Sequence, residues 1–125
     1  MDTSINIAIS GLNAASLRLN NSANNVANAT TTGYIPTDVT QSSINLNVGN
    51  GGSSGGGVKA SIVERSPATV TSVDGGNPDL SLQAPNVSAE DELIQQKLAT
   101  YNFQGSLKVL KAANEMLGNL LDISA

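Results

Sequence analysis

The chain has 125 residues, six basic against ten acidic side chains, and no histidine, cysteine or tryptophan. That length fits at most one domain. The absent imidazole and thiol remove the commonest general base, disulfides and nearly all transition-metal ligand sets, and a net charge of −4 with no dense basic patch argues against a nucleic-acid partner.

Only 2% of the residues are aromatic, namely Tyr34, Tyr101 and Phe103. The apolar content is Ala, Leu, Ile and Val, which suits helix-on-helix packing better than a core built on large rings. Residues 1–15 lack a basic start followed by an unbroken apolar run, so no cleavable signal is expected. No stretch approaches the roughly 20 apolar residues of a membrane span, so no membrane insertion is expected.

The first element is periodic. Ile5, Leu12, Leu19 and Val26 recur every seven residues, and Ala8, Ala15, Ser22 and Ala29 form a second row three residues on. This is a heptad-like pattern with large residues at one position and small ones at the other, and small residues let two helices approach closely. Thr3 or Ser4 can cap its start. The stop is Thr30–Thr31–Thr32 followed by Gly33, Tyr34 and Pro36: β-branched residues, a residue that tolerates positive φ, and a proline that forbids continuation. Gly33, Tyr34 and Pro36 are thus expected to end the helix and begin an extended arm.

Val39, Ile44, Leu46 and Val48 alternate in part and predict one short strand; residues 58–65 predict a second. Between them, residues 49–57 read G-N-G-G-S-S-G-G-G, a linker or hairpin tip by composition. Residues 66–87, with Pro67, Pro78 and Pro85, predict irregular chain and one further strand at Thr69–Val73. Helical period returns from Ser88, a candidate cap, with Glu90, Asp91 and Glu92 filling the first turn where the helix dipole favours acids. Ile94, Leu98, Tyr101, Gly105, Val109, Ala113, Met116, Leu120 and Ile123 form one stripe; Phe103, Leu107, Leu110, Leu117 and Leu121 form a second. Together they make a face wide enough for two neighbours. Two helices alone bury one seam, so an isolated chain is expected to be largely disordered or molten, and to order by assembly.

Five amides, Asn20, Asn21, Asn24, Asn25 and Asn28, stack on the first helix. A solvated face is the plain reading. The sharper one is a set of uncharged donors and acceptors that bonds to neighbouring subunits without charge repulsion. The acids at 90–92 lack spaced partners for a metal or acid–base site, the Gly-rich run lacks the Lys-Ser/Thr of a phosphate loop, and no nucleophile has a recognisable base. No enzyme and no cofactor are expected.

S-G-L-N-A-A-S-L-R-L-N-N-S-A-N-N-V-A-N-A-T-T-T-G-Y, residues 10–34, resembles the N-terminal motif of the bacterial flagellar rod and hook protein family. P-N-V…E-L-I…Y-N-F-Q…K-V-L-K-A-A-N-E-M-L-G-N-L-L-D-I, residues 85–123, is similar to its C-terminal helix. The short length and G-V-K-A-S-I-V-E-R-S-P, residues 57–67, resemble the proximal rod proteins of the FlgC type. The resemblance implies a mainly α fold: N- and C-terminal helices (1–30 and 88–125) paired as an antiparallel coiled coil, with an extended middle segment (31–87) holding a short β-hairpin. It implies a structural subunit that polymerises into the periplasmic drive shaft, exported by the flagellar type III apparatus, with other rod proteins and copies of itself as partners. The packing residues are then Ile5, Leu12, Leu19, Val26, Leu107, Leu110, Leu117 and Leu121. The competing expectation is a rod-like helical adapter that never enters the shaft.

Overall fold

The structure is a computed structural model that describes residues 2–48, 52–65 and 87–124. In chain order it holds α1 (Asp2–Ala27), β1 (Thr37–Val48), β2 (Gly52–Glu64) and α2 (Ala89–Ser124). The strand expected at Thr69–Val73 lies outside the described residues.

α1 and α2 run antiparallel. Gly11 near the start of α1 faces Ser106 in the middle of α2, while Ser22 and Asn25 near the end of α1 reach Glu92 in the first turn of α2. The contact line follows a seven-residue period on both helices. Ala8, Ala15 and Ser22 are buried on α1; Glu92, Ala99 and Ala113 are buried on α2, with Ser106 half-buried between them. A Cβ on Gly11 would stand 2.7 Å from Ser106 Oγ, which shows how closely the backbones approach. Among the described residues of the two helices, every buried apolar side chain is an alanine: Ala8, Ala14, Ala15, Ala99 and Ala113.

The seam is therefore built on the small row, and the large row flanks it. Ile5 and Leu12 are half-buried, whereas Leu19 and Val26 are 40% and 41% exposed. On α2, Leu110 and Leu117 are half-buried and Leu107 is 49% exposed; Leu121 lies in α2, and its side chain is outside the described ones. The stripe Ile94, Leu98, Tyr101 and Val109 faces away from α1 and is exposed. The physical reason is interhelical distance. Alanine, serine and glycine let the axes approach, and at that separation leucine fits only at the edges of the contact. Continuing the register one heptad from Gly11–Ser106 puts Ala113 beside Ser4. The last turns of α2, with Met116 and Ile123 exposed, then lie past α1.

β1 and β2 pair antiparallel, with Thr37 opposite Glu64 and Val39 opposite Ile62. The glycine run expected as linker or hairpin tip is strand from Gly52 onward. It can be strand because backbone pairing, from Asn45↔Gly55 to Val48↔Gly52, does not require side chains. The register shifts where Ile44 faces both Gly56 and Gly57, a β-bulge, and Gly57 sits at φ 99°, a conformation that favours glycine. Here Val58 N–H donates to Ser10 Oγ at 3.0 Å, and Ser10 Oγ donates to the Ile7 carbonyl at 2.7 Å. The hairpin thus lies back along α1. Among the described residues both strands contact α1 and neither contacts α2. α1 sits between α2 and the hairpin.

Seam and flank respond differently to substitution. Ala15→Leu or Ala99→Leu should cost about 1–3 kcal/mol by forcing the helices apart. Leu19→Ala should cost under about 1 kcal/mol, because that side chain is already partly in water. Urea titration of helical circular dichroism at one fixed protein concentration checks the contrast; equal losses for Ala15→Leu and Leu19→Ala would contradict the seam.

Candidate functional site

Both helices and both strands converge at one end, where α1 stops and α2 starts. α1 closes with a tightened turn: Asn28 N–H donates to the Asn24 carbonyl, Ala29 N–H to Val26, and Thr31 N–H to Asn28. Gly33 follows at φ 77°, Tyr34 N–H donates to the Thr31 carbonyl, and Pro36 is buried with its carbonyl accepting from Arg65 N–H at 2.8 Å. Gly33, Tyr34 and Pro36 thus lie in the segment between α1 and β1. α2 opens on Ser88, whose Oγ accepts from Asp91 N–H at 3.3 Å. Ser88 Oγ also lies 3.1 Å from Glu90. Glu90 is held below the ordinary carboxylate range, first by its own backbone N–H and then by Ser88.

Asn25 is the centre of this junction and is fully buried, at 0% exposure. Its Nδ2 donates to the Thr37 carbonyl at 2.8 Å and to Glu92 Oε1 at 2.9 Å. Its Oδ1 accepts from Tyr34 Oη–H at 2.9 Å and from Thr37 N–H at 3.1 Å. A side-chain amide offers two donors and two acceptor lone pairs, and all four are used here. Asn21, one turn earlier, makes a second clasp on the same residue, donating to the Thr37 carbonyl and accepting from Thr37 Oγ1. Two asparagines thereby pin the first residue of β1 to α1.

Glu92 is 1% exposed. Its carboxylate accepts from Asn25 and from Arg65 Nη2, the latter at 2.9 Å, and its backbone carbonyl accepts from Ser22 Oγ at 2.9 Å. Arg65, just past β2, reaches the other way to Asp38 with Nε at 3.0 Å and with Nη2. This fork-on-carboxylate pairing holds the guanidinium plane and lets one nitrogen serve both acids. The hydrogen bond from Arg65 holds Asp38 below its ordinary value of 3.8; partial burial opposes this and the charge attraction adds to it. Arg65 in turn is raised further above its already high ordinary value, chiefly by the bond to Asp38, so it stays charged at any working pH. Among the described residues, no buried polar side-chain atom is left without a partner.

The five amides divide accordingly. Asn21 and Asn25 are used inside the chain. Asn24 and Asn28 donate back to the Asn20 and Asn24 carbonyls at 3.0 Å, one turn earlier, and Asn20 is exposed. Sequence reasoning missed Glu92, Arg65, Asp38 and Thr37. Glu92 was visible in principle, because it begins the seven-residue row Glu92–Ala99–Ser106–Ala113, an acid on a buried position. Arg65 and Asp38 carry no local signal; only the strand register brings them together.

No group of acids among the described residues is placed to hold a metal ion, and no described helix is long and apolar enough to cross a membrane. The geometry defines a class: two long helices on a seam of small residues, closed at one end by a saturated polar junction. The family model described as flagella basal body rod protein matches residues 5–34, and that of the flagellar basal body rod FlgEFG protein C-terminal region matches residues 81–123. The two matches span more than half of the chain and show the flagellar basal body rod family, whose members are structural proteins. No curated protein matches the chain.

Asn25→Ala should destabilise the junction by about 3 kcal/mol, because Thr37 N–H, Tyr34 Oη and Glu92 lose partners that water cannot replace. Asn25→Asp should cost more, since it removes both donors and faces a second carboxylate across 2.9 Å. Chemical denaturation of each variant, read by helicity, checks the order. The acid response follows from Asp38. Its folded value is depressed, so its stabilisation is complete above the unfolded value and is lost as pH falls through the folded value below 3.8. Asp38→Asn should flatten that part of an acid titration of helicity run from about pH 6 to about pH 2.

Proposed function

We propose that the chain is a structural subunit of the flagellar basal-body rod, one that polymerises through its terminal helices with copies of itself and other rod proteins to carry torque along the periplasmic drive shaft. The observation that carries this reading is what the fold leaves uncovered. Among the described residues of the helices, the buried apolar side chains are alanines, while Ile94, Leu98, Tyr101, Val109, Met116 and Ile123 stand in the open on α2, the last at 83% exposure. A chain that buries its small residues and exposes its large ones has its hydrophobic stabilisation still to gain, and it gains it by packing against other chains. Lateral contacts then use the half-buried Ile5, Leu12, Leu110 and Leu117 together with the exposed Leu19, Val26 and Leu107, with Leu121 on the same helix.

Of the amides, Asn20 and Asn24 lie outward and are the ones offered to a neighbouring subunit. The arm that starts at Gly33 and Tyr34 carries the hairpin to the outer side of α1. The likeness of residues 57–67 to that segment of the proximal rod proteins favours a position of the FlgC type. Delivery by the flagellar type III export route, without a cleaved signal, belongs to the same reading, as does a periplasmic location within the basal body.

Mass spectrometry of purified hook–basal bodies tests it directly. Peptides of this chain at a stoichiometry like that of known rod proteins are expected; their absence, with the chain recovered from the cytoplasm, would remove the shaft role. In strains carrying the variant as the only copy, Leu12→Asp and Leu117→Asp should abolish incorporation, because each buries an unpartnered charge at a subunit contact. Normal swimming of either strain would sink that contact assignment. The purified chain at low concentration should melt over a broad, weakly cooperative transition that sharpens as concentration rises; a sharp monomeric melt would argue for an independent module.

A further inference from the structure

The helix seam repeats, and the repeat leaves its register open. From the end of α1 to its start, Ser22 and Asn25 meet Glu92 and Gly11 meets Ser106, and the seven-residue period carried through these contacts sets Ala15 opposite Ala99, Ala8 beside Ser106 and Ser4 opposite Ala113. If α2 moved one heptad, about 10.5 Å, Ala99 would take the place of Glu92, Ser106 that of Ala99, and Ala113 that of Ser106. Three of the four seam positions would still meet a small residue, and at the fourth Leu120 would come opposite Ser4 in the exposed first turn of α1. The bond from Ser22 goes to a backbone carbonyl, which any residue supplies. The flanks would even become more apolar, because Met116 and Leu117 would come alongside α1 while Gln95 and Gln96 left it. Over those three positions close packing does not select the observed register, and hydrophobic burial favours the slipped one.

We infer that the Glu92 side chain, held by Asn25 and Arg65, is a register lock that keeps α2 one heptad short of its more apolar alignment on α1. Over the three positions that keep a small residue, only this carboxylate distinguishes the two alignments. It is 1% exposed, and it meets an amide from α1 and a guanidinium from the end of β2. In the slipped alignment Asn25 and Arg65 would face Ala99 and lose that acceptor: one buried Nδ2 donor of Asn25 would be left unpaired, and Arg65 would keep Asp38 as its one acid. A polar residue that fixes register at the expense of apolar burial is the best-attested use of a buried charge. The lock has a consequence for the molecule. It holds Met116 and Ile123 out past α1, where they are exposed. Arg65 also faces Asp38, and the other charged groups near the junction, Glu90 and Asp91, lie in the exposed first turn of α2. None of these reads the register of α2, since Asp38 bonds Arg65 and not the helix. The inference is independent of the assembly in which the chain works.

The absence of native cysteine makes the register directly readable in the full chain. A Cβ on Gly11 lies 3.6 Å from Ser106 Cβ, within disulfide reach, so Gly11→Cys with Ser106→Cys reports the observed register. Gly11→Cys with Ala113→Cys reports the slipped one, since that pair meets only after a heptad shift. On the native background the first pair should oxidise to an intramolecular disulfide and the second should not. Moving the lock by Glu92→Ala with Ala99→Glu should invert the result: the 11–113 pair closes and the 11–106 pair fails. Glu92→Ala alone should let both pairs form. If the moved lock still gives only the 11–106 disulfide, the register is set elsewhere and the inference is overturned. If it gives neither disulfide while the native background gives its own, Glu92 maintains the helix pair rather than its register, which overturns the inference equally.

Discussion

One buried amide joins the parts of this chain. Asn25 has no exposed surface, and its two donors and two lone pairs are taken by Thr37, Glu92 and Tyr34. An amide in that state is specific in a way that an apolar contact is not. Moving any partner leaves a buried polar atom unpaired, and its desolvation is then uncompensated. The helix pair, the arm and the first strand are therefore held in one mutual placement by bonds that have no equivalent alternative. Arg65 extends the constraint to the end of β2 and shares its charge between Asp38 and Glu92.

That specificity compensates for a weakness in the rest of the fold. A seam of alanine, serine and glycine brings backbones close and gains dispersion contacts, but it buries little apolar area per residue. The hairpin adds little more, since Ile62 and Val63 are exposed and its pairing partner over residues 52–57 is rich in glycine. Directional bonds define the arrangement, while the large apolar side chains remain on the surface. On the proposed reading as a rod subunit, that surface is where the missing burial is completed.

The sequence was most legible where periodicity is long. Both helices and the hairpin show in spacing and alternation, and the terminator from Thr30 to Pro36 shows in residue type. The seven-residue rows were visible too, but not which row forms the seam. That choice depends on interhelical distance, and Leu19 or Ala15 would each satisfy a pattern of apolar residues. Composition marked residues 49–57 as a linker or tip, yet a strand needs only backbone partners, and β1 supplies them down to Gly52. The junction was least legible. Glu92 reads as one of three acids in a helix first turn, and nothing near Arg65 marks it as their partner. Their meeting depends on chain topology, which places residues 27 apart in sequence within 2.9 Å.

The asparagine-rich end of α1 shows why such a site escapes pattern reading. Five amides in nine residues look like one feature, and they do different things. Asn24 and Asn28 bond back along their own helix, Asn20 stays in water, and Asn21 and Asn25 turn inward to clasp Thr37. The difference is angular. Positions 21 and 25 face the arm and the start of α2, where their amides meet groups that would otherwise be buried without partners. An aspartate at either position would lack the donors those groups require, and a leucine would supply neither donor nor acceptor. Asparagine is costly in a helix interior because its amide competes for backbone groups. At positions 21 and 25 that same capacity is what holds the arm to the helix.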